Sequence, residues 1–368
     1  MEFSRRPDLR YFKKWIVTPV QLTGLVAAAL TLWGCNTSPT ASIGSDWTLQ
    51  RSGMSRALSA VAWTGSQLVA VGDSGTIMTS PDGTTWTTQT SGTASSLFSV
   101  IWADSQLVTV GNGGTILTSP NGITWTARSS GTTSILSSVT WTGTQWVAVG
   151  WPEGNASIIL TSPNGATWTQ RTSGTTIALE SVTWTGSQLV AVGGLSIHYS
   201  TGDSNSFKNV ILTSPDGVNW ASQSSGITSP LRAVIWSGTQ LVVVGGENPV
   251  FPGDSVTNGV ILTSPDGVNW TSRISGAITP LSSVTWTGKE FFAVGTAPLV
   301  YGDSLESSAI LTSPDGVTWS PQDQTMPEYL FNVTWADGKL VGFGNSGNLS
   351  TYVTTGHDGA IFTLLTSP

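Results

Sequence analysis

Apolar and polar positions follow one repeating pattern from Trp47 to the end of the chain. Each repeat runs L-x-S-V-x-W-T-G-x-Q-L-V-A-V-G, crosses a stretch of variable length, and continues I-L-T-S-P-D/N-G-x-x-W. From each second tryptophan to the next first one the spacing is always 16 residues, whereas within a repeat it varies from 23 to 36. A constant segment beside a variable one indicates rigid strands joined by one expandable loop. The first tryptophans are Trp63, Trp102, Trp141, Trp184, Trp236, Trp286 and Trp335; the second are Trp47 (unpaired), Trp86, Trp125, Trp168, Trp220, Trp270 and Trp319.

Each repeat predicts four short strands, with a Pro-Asp-Gly or Pro-Asn-Gly turn before the last one. The strands are almost continuously Val, Ile, Leu and Trp, which is typical of strands buried on both faces. Four strands in roughly 40–50 residues form one blade of a β-propeller. We therefore predict an all-β fold, a seven-bladed β-propeller of four-stranded antiparallel blades, in one domain over residues 46–368.

The two ends of the chain complement each other. The chain ends in Leu364-Leu365-Thr366-Ser367-Pro368, the third strand of a repeat whose fourth strand is missing. Residues 46–51 carry a fourth strand without its repeat. We predict that this N-terminal strand completes the C-terminal blade, because joining the ends removes an open sheet edge. An open solenoid is the alternative, and it would not need such complementarity.

Residues 1–34 predict a targeting segment. Five basic residues lie within the first 15, an apolar run follows from Ile16 to Leu32, and the only cysteine is Cys35. This resembles a bacterial lipoprotein signal, which implies a lipidated Cys35 at the mature N-terminus and a linker over residues 35–45. The alternatives are an uncleaved membrane anchor and a plain signal peptide with an incidental Cys35. A lipoprotein is secreted across the inner membrane and stays at the cell envelope, on the periplasmic or the outer surface.

Composition limits the function classes. Only 10% of the residues are charged and 18 are tryptophan, which excludes a charged disordered chain. The formal net charge of −7 argues against a nucleic-acid partner. One cysteine excludes a disulfide scaffold and a cysteine-based zinc site.

The Ser-Pro-Asp-Gly-x-x-Trp segments resemble the Asp-box, or BNR, repeat. The resemblance covers residues 46–368, and it extends more distantly to other propeller repeats of the WD40/YVTN type. The Asp-box group includes sialidases, some glucan hydrolases, sortilin-type receptors and photosystem II assembly factors, so it implies a fold rather than a function. The motif aspartates are predicted to be structural, because Asn121 and Asn164 replace them and an amide can accept turn N–H groups equally well.

All length variation lies in the connections between the second and third strands, on one face of the predicted propeller. The long connections belong to five consecutive repeats and are predicted to surround one mouth of the central channel. Aromatic, histidine and acidic residues there suit protein or sugar contact, or else hold the loops onto the scaffold. The predicted binding residues in these connections are Trp151, His198, Tyr199, Asp203, Phe251, Asp254, Tyr301, Asp303, Tyr352 and His357. Glu180 and Arg232, which lie at the start of first strands, complete the predicted binding residues.

Glu180 and Arg232 occupy a position that varies in every repeat, four residues before the first tryptophan. Such variation in a rigid repeat is expected of a recognition site, or of a merely solvent-exposed one. The equivalent residues are Ser59, Phe98, Ser137, Ser282 and Phe331.

No cofactor is predicted, with one alternative. Asp203, Asp254 and Asp303 each lie in a Gly-Asp-Ser segment that is ordinary turn chemistry, but hard oxygen donors of this kind would also suit Ca²⁺.

A sialidase is disfavoured because it needs convergent arginines, whereas Arg128, Arg171 and Arg273 fall on outer strands. A hydrolase of neutral glycans needs two carboxylates about 5–9.5 Å apart, which Glu180, Glu247, Asp254 or Asp303 could supply. We interpret the chain as a non-catalytic, envelope-anchored, monomeric module that binds an envelope protein complex or a glycan and touches the membrane only through its lipid. Glycoside hydrolysis is the alternative. The resemblance to photosystem II assembly factors implies a chaperone of a membrane complex, although their basic patch is absent here.

Overall fold

The computed structural model describes residues 47–51, 57–197, 206–247, 259–277, 279–296, 308–322, 329–345 and 359–364. Within these residues the chain forms β-strands and two short 3-10 turns, and all of them belong to the compact unit Ile43–Pro368. In this part of the chain, no helix has the length and apolar character needed to cross a membrane.

Six sheets are each made of four strands that are consecutive in the chain. We call them blades I to VI. Blade I contains β2 (Leu58–Trp63), β3 (Leu68–Gly72), β4 (Ile77–Ser80) and β5 (Thr87–Gln89). Blade II contains β6 (Leu97–Ala103), β7 (Gln106–Gly111), β8 (Ile116–Ser119) and β9 (Thr126–Arg128). Blade III contains β10 (Leu136–Trp141), β11 (Trp146–Glu153), β12 (Ala156–Ser162) and β13 (Thr169–Thr172).

The other three blades follow the same order. Blade IV contains β14 (Leu179–Trp184), β15 (Leu189–Ile197), β16 (Ser206–Ser214) and β17 (Ala221–Gln223). Blade V contains β18 (Leu231–Trp236), β19 (Leu241–Gly245), β20 (Val260–Ser264) and β21 (Thr271–Arg273). Blade VI contains β22 (Ser283–Trp286), β23 (Phe291–Thr296), β24 (Ser308–Ser313) and β25 (Ser320–Pro321).

The remaining sheet combines both ends of the chain. Its strands are β26 (Tyr329–Ala336), β27 (Lys339–Asn345), β28 (Gly359–Leu364) and β1 (Trp47–Arg51), in that spatial order. We call it the closing sheet. Strand β1 pairs antiparallel with β28 over five residue pairs, from Trp47 opposite Leu364 to Arg51 opposite Ala360. The predicted pairing of the chain ends is therefore present.

The predicted number of blades is wrong and is corrected from seven to six. The all-β propeller of four-stranded antiparallel blades is confirmed, but counting tryptophan repeats also counted the closing sheet. That sheet is not formed by four consecutive strands, since β1 comes from the opposite end of the chain.

The apolar core lies between neighbouring sheets. The second strand of blade I is buried at every position, as the continuous Val and Leu pattern predicts. Its Val69 and Val71 pack in one cluster with Leu97 and Val100 of blade II. Trp146 is fully buried and its ring centroid lies 4.9 Å from that of Trp141 in the same blade. Each blade thus covers the face of the next one.

The Pro-Asp/Asn-Gly turns are held by side-chain acceptors. Asp82 Oδ1 accepts the backbone N–H groups of Thr84 at 2.8 Å and Thr85 at 3.0 Å. Asn121 Oδ1 accepts the equivalent groups of Ile123 at 3.0 Å and Thr124 at 2.9 Å. The amide and the carboxylate therefore make the same two contacts, which is the structural role that their interchange predicts.

We expect Asp82→Asn to leave the melting temperature at pH 7 almost unchanged, and Asp82→Ala to lower it by a few degrees. The N–H groups of Thr85 and Thr84 lower the pKa of Asp82 from its ordinary value of 3.8. A lowered pKa stabilises the fold above pH 3.8, and that contribution is lost as the pH falls below it. The wild type should therefore lose more stability than Asp82→Asn between pH 7 and about pH 3, measured by thermal unfolding. Parallel losses in the two proteins would contradict the assignment.

The glutamine of the repeat joins neighbouring sheets, which the sequence analysis did not predict. Gln67 Nε2 of blade I donates to the carbonyl oxygen of Asn121 in blade II at 2.6 Å. Lys339 of the closing sheet makes the equivalent contact to the Asp82 carbonyl of blade I at 2.9 Å. A side chain of the first hairpin thus binds the turn of the next sheet in blades I to IV and in the closing sheet, whereas Gln240 Nε2 of blade V has no hydrogen-bond partner in the described structure. The other such contacts are Gln106 to Asn164, Gln145 to Asp216 and Gln188 to Asp266.

Candidate functional site

A β-bulge occurs near the start of the innermost strand in five of the six blades and in the closing sheet. In blade IV the pairing of β14 with β15 shifts between Leu179 and Ser181, which leaves Glu180 without a partner residue. In blade V the shift between Leu231 and Ala233 leaves Arg232 unpaired in the same way. A bulge turns the extra side chain away from the alternation of the strand. The bulged residues elsewhere are Ser59, Phe98, Ser137 and Phe331.

These bulged residues are the positions at which the repeat varies in sequence. Their variation follows from the geometry, because a residue outside the ladder has no cross-strand partner to match. Ser282 of blade VI lies at the equivalent place just before β22, and its N–H donates to the Val294 carbonyl oxygen at 2.8 Å. Each sheet therefore presents one side chain at the same level of the propeller, and its residue type is not restricted by cross-strand pairing.

The glycine that ends the second strand makes this bulge possible. A Cβ at Gly193 would lie only 1.9 Å from the backbone oxygen of Ala178, and one at Gly245 only 2.1 Å from that of Pro230. The backbone of the second strand thus passes directly against the segment that leads into the bulge. Only a residue without a side chain fits there.

The small bulged residues bind neighbouring backbone. Ser137 Oγ donates to the carbonyl oxygen of Leu179 in the next blade. Ser282 Oγ donates to that of Phe331 in the closing sheet at 2.6 Å. Blades IV and V lie between these two serines and carry Glu180 and Arg232 at the equivalent positions. Two charged side chains are therefore neighbours, with a serine on either side.

A pocket of about 580 Å³ opens at this place. Three of its lining residues are equivalent positions of blades IV, V and VI, namely Glu180, Arg232 and Ser282. Trp151 and Pro152 from the extended hairpin of blade III form another part of the wall. The remaining lining residues carry no charge: Thr176, Ala178, Gly194, Pro230 and Leu231.

The two charges influence each other without closing into an ion pair. In the described residues the ion pair present is Lys339 to Asp337 at 3.7 Å, and Glu180 and Arg232 do not come within 4.0 Å. Burial raises the pKa of Glu180, opposed by the neighbouring Arg232 and Trp151 side chains. Burial also lowers the pKa of Arg232, opposed by Glu180. Arg232 Nε is buried and has no hydrogen-bond partner in the described structure.

Trp151 is positioned by a clamp on the blade III hairpin. Ser134 Oγ donates to its carbonyl oxygen at 2.9 Å. Two residues further, the Glu153 carboxylate accepts hydrogen bonds from the hydroxyl groups of Thr132 at 2.5 Å and Thr133 at 2.8 Å. These contacts lower the pKa of Glu153, so the clamp is anionic at neutral pH. The indole is 45% exposed, and its proximity to Glu180 lowers the pKa of that carboxyl.

Three of the twelve predicted binding residues, Trp151, Glu180 and Arg232, thus line one pocket, on the face where the sequence placed the variable connections. Their role in binding remains a prediction. The other nine lie outside the described residues: His198, Tyr199, Asp203, Phe251, Asp254, Tyr301, Asp303, Tyr352 and His357. The Ca²⁺ alternative rests on residues among these nine and also remains a prediction. Among the described residues, no cluster of three or more metal-ligating His, Cys, Asp or Glu side chains occurs.

The arginines of the outer strands have structural partners. Arg128 Nε donates to Thr118 Oγ1 at 2.9 Å, and Gln89 Nε2 makes the equivalent contact to Thr79 at 2.9 Å. These arginines therefore do not converge on the pocket. Arg171 and Arg273 bind Thr161 and Thr263 in the same way.

Two lining features were missed by sequence reasoning. The variable connection of blade III is part of the sheet, because its strands continue as far as Glu153 and resume at Ala156. Ser282 was recognised as variable but not as a neighbour of Arg232. The place of Ser282 beside Arg232 could have been predicted, because equivalent positions of neighbouring repeats lie at the same level around a propeller.

The chain has the fold of a β-propeller protein, and solved propellers are similar to it. A structure described as YCF48 bound to a D1 peptide superposes with a TM-score of 0.61 at 16% identity, over 90% of this chain and 100% of that one. YCF48 from Cyanidioschyzon merolae gives a TM-score of 0.56 at 14% identity, over 87% and 98%. The WD40 propeller domain of Doa1 gives 0.56 at 11% identity, over 86% and 96%. At these identities the likeness shows the fold alone.

No protein-family model matches the sequence, and no curated protein matches it either.

Proposed function

We propose that this chain is a non-catalytic, protein-binding propeller that recognises its partner in the pocket formed by Trp151, Glu180 and Arg232. The fold is supported by its structural neighbours, one of which is described as bound to a D1 peptide. A binding role is supported by the pocket itself, since a rigid repeat presents different side chains there at equivalent bulges.

One observation carries the proposal: two half-buried charges of opposite sign lie side by side without an ion pair, next to an exposed tryptophan. Burying a charge without a partner costs stability. In blades III and VI, on either side, a serine at the same position instead donates a hydrogen bond to a backbone carbonyl oxygen of the next sheet. The presence of Glu180 and Arg232 here despite this cost is expected of a site that receives a ligand, and aromatic and arginine side chains dominate binding energy at protein interfaces.

We further propose that the propeller is secreted and held at the cell envelope by a lipid on Cys35. The basic and apolar segment before Cys35 supports this. The partner is then a protein of the envelope, and contact with the membrane is limited to the lipid. Metabolic labelling with an alkyne fatty acid should mark the wild type and not Cys35→Ser.

The alternative, a glycoside hydrolase, finds less support at this pocket. Such an enzyme needs a second carboxylate about 5–9.5 Å from the first. Among the described lining residues Glu180 is the one carboxylate, and its neighbour is the cation of Arg232.

Site-specific photo-cross-linking in intact cells tests the proposed function. A photoreactive phenylalanine replaces Thr176, an exposed residue of the pocket wall, or Ser222, an exposed residue on the outer strand β17 of blade IV. We expect a discrete protein adduct, identified by mass spectrometry, from position 176 and not from position 222. In the Trp151→Ala background the adduct should fall at least about tenfold, the loss typical of removing an interface tryptophan. Equal adducts at both positions, or none at 176, would contradict the proposal.

A further inference from the structure

The unequal surroundings of the two pocket charges indicate what the partner carries. Glu180 lies beside the Trp151 indole in the pocket wall, whereas Arg232 Nε is buried with no acceptor in the described structure. Since the two groups do not reach ion-pair distance, each retains hydrogen-bonding capacity that the other does not use. A carboxylate accepts several hydrogen bonds and a guanidinium donates five.

A ligand with a single charge fits this pocket poorly. An anion would pair with Arg232 but would also be repelled by Glu180 on the neighbouring bulge. A cation would pair with Glu180 but would be repelled by Arg232. Because the other described lining residues are uncharged, no further group offsets that repulsion. In a half-buried site such like-charge contacts exclude the wrong partner.

A ligand with both charges satisfies both groups. Its carboxylate can accept two parallel hydrogen bonds from the Arg232 guanidinium. Its basic group can donate to the free lone pairs of Glu180, with its aliphatic stem lying on the exposed Trp151 ring. The volume of about 580 Å³ is in the range of pockets that enclose a ligand of a few dozen atoms.

We propose that the pocket selects a partner segment in which an acidic and a basic side chain are adjacent, the acid binding Arg232 and the base binding Glu180. This inference rests on the proposed function and names the chemistry of the segment that is bound. It assigns Glu180 and Arg232 separate contacts with the partner rather than a structural contact with each other.

The test uses three blocked dipeptides: N-acetyl-Glu-Lys amide, N-acetyl-Gln-Lys amide and N-acetyl-Glu-Gln amide. The protein is labelled with 5-fluorotryptophan, and the Trp151 signal is assigned by its absence in Trp151→Phe. Titration followed by ¹⁹F NMR then reports binding at this pocket. We expect Glu-Lys to bind about tenfold tighter than either peptide that lacks one charge, because hydrogen bonds between charged groups are worth this much.

Two matched variants assign each preference to its residue. Arg232→Gln should abolish the preference for Glu-Lys over Gln-Lys and keep the preference over Glu-Gln. Glu180→Gln should abolish the preference for Glu-Lys over Glu-Gln and keep the preference over Gln-Lys. Thermal unfolding of both variants shows whether they fold, and the retained preference in each serves as its internal control.

Each other outcome overturns the inference. If all three peptides shift the Trp151 signal with equal affinity, the pocket binds peptides without selecting charges, and the proposed function stands. A preference for one charge only defines a simple anion or cation site. Displacement of the peptides by equimolar free glutamate indicates a small zwitterion rather than a segment of a protein. If no peptide shifts the signal, the inference fails, whereas the proposed function fails only if cross-linking from position 176 fails too.

Discussion

A chain that begins at Ala57, and therefore lacks β1, is expected to unfold at a lower temperature than a chain that begins at Ser45. Strand β1 pairs with β28 over five residues and so covers the outer edge of the closing sheet. At about 1 kcal/mol per net hydrogen bond, its removal should cost on the order of 3–5 kcal/mol. For a domain of this size that corresponds to a fall of roughly 5–10 °C in the melting temperature.

The loss should affect the whole propeller, because the closing sheet joins blade VI to blade I. Asn332 Nδ2 of β26 donates to the Ser59 carbonyl oxygen of β2 at 2.6 Å, across 273 positions of sequence. Val341 and Phe343 of β27 lie in one apolar cluster with Leu58 of blade I. We therefore expect one unfolding transition at the lower temperature rather than a small separate one.

The chain that begins at Ser45 is the control, because it keeps β1 and lacks only the leader and linker. Size-exclusion chromatography should show self-association of the shorter protein alone, since its β28 edge is left unpaired. Equal melting temperatures for the two chains would show that β1 does not close the propeller.

Much of this fold is predictable because its signals are local and repeated. The Pro-Asp/Asn-Gly turns and the buried Val-rich strands follow from residue types within each repeat. The pairing of β1 with β28 is predictable too, since a strand without a repeat and a repeat without a strand occur at opposite ends. The blade count was wrong because the tryptophan periodicity also counts the closing sheet, which combines strands from both ends of the chain.

The candidate site was predictable only in part. Variation within a rigid repeat identified Glu180 and Arg232, and an aromatic side chain in a variable connection identified Trp151. Their convergence was not predictable, because it depends on the bulge that turns each side chain out of its strand and on the extended blade III hairpin. A bulge has no residue signature of its own here, apart from the glycine that passes against it.

That glycine leads to the second large prediction: Gly111→Ala should destabilise the propeller by about 3 kcal/mol or more, the upper range for overpacking a rigid site. The backbone of Gly111 is extended, with φ −169°, so alanine meets no conformational penalty there. A Cβ would instead lie 2.1 Å from the backbone oxygen of Ser96. Backbone cannot move aside as a flexible side chain can, so the strand that leads to the Phe98 bulge must shift.

Gly113→Ser, two residues later, is the matched control. Gly113 has φ 65° with open space around its Cβ position, and the equivalent residue of blade I, Ser74, already adopts φ 53°. This substitution should change the free energy of unfolding by less than about 1 kcal/mol, within the ordinary range for a surface position. Urea denaturation of the two variants and the wild type makes the comparison. Equal losses at positions 111 and 113 would show that the second strand does not need its glycine, and the bulges that present Glu180 and Arg232 would then require another explanation.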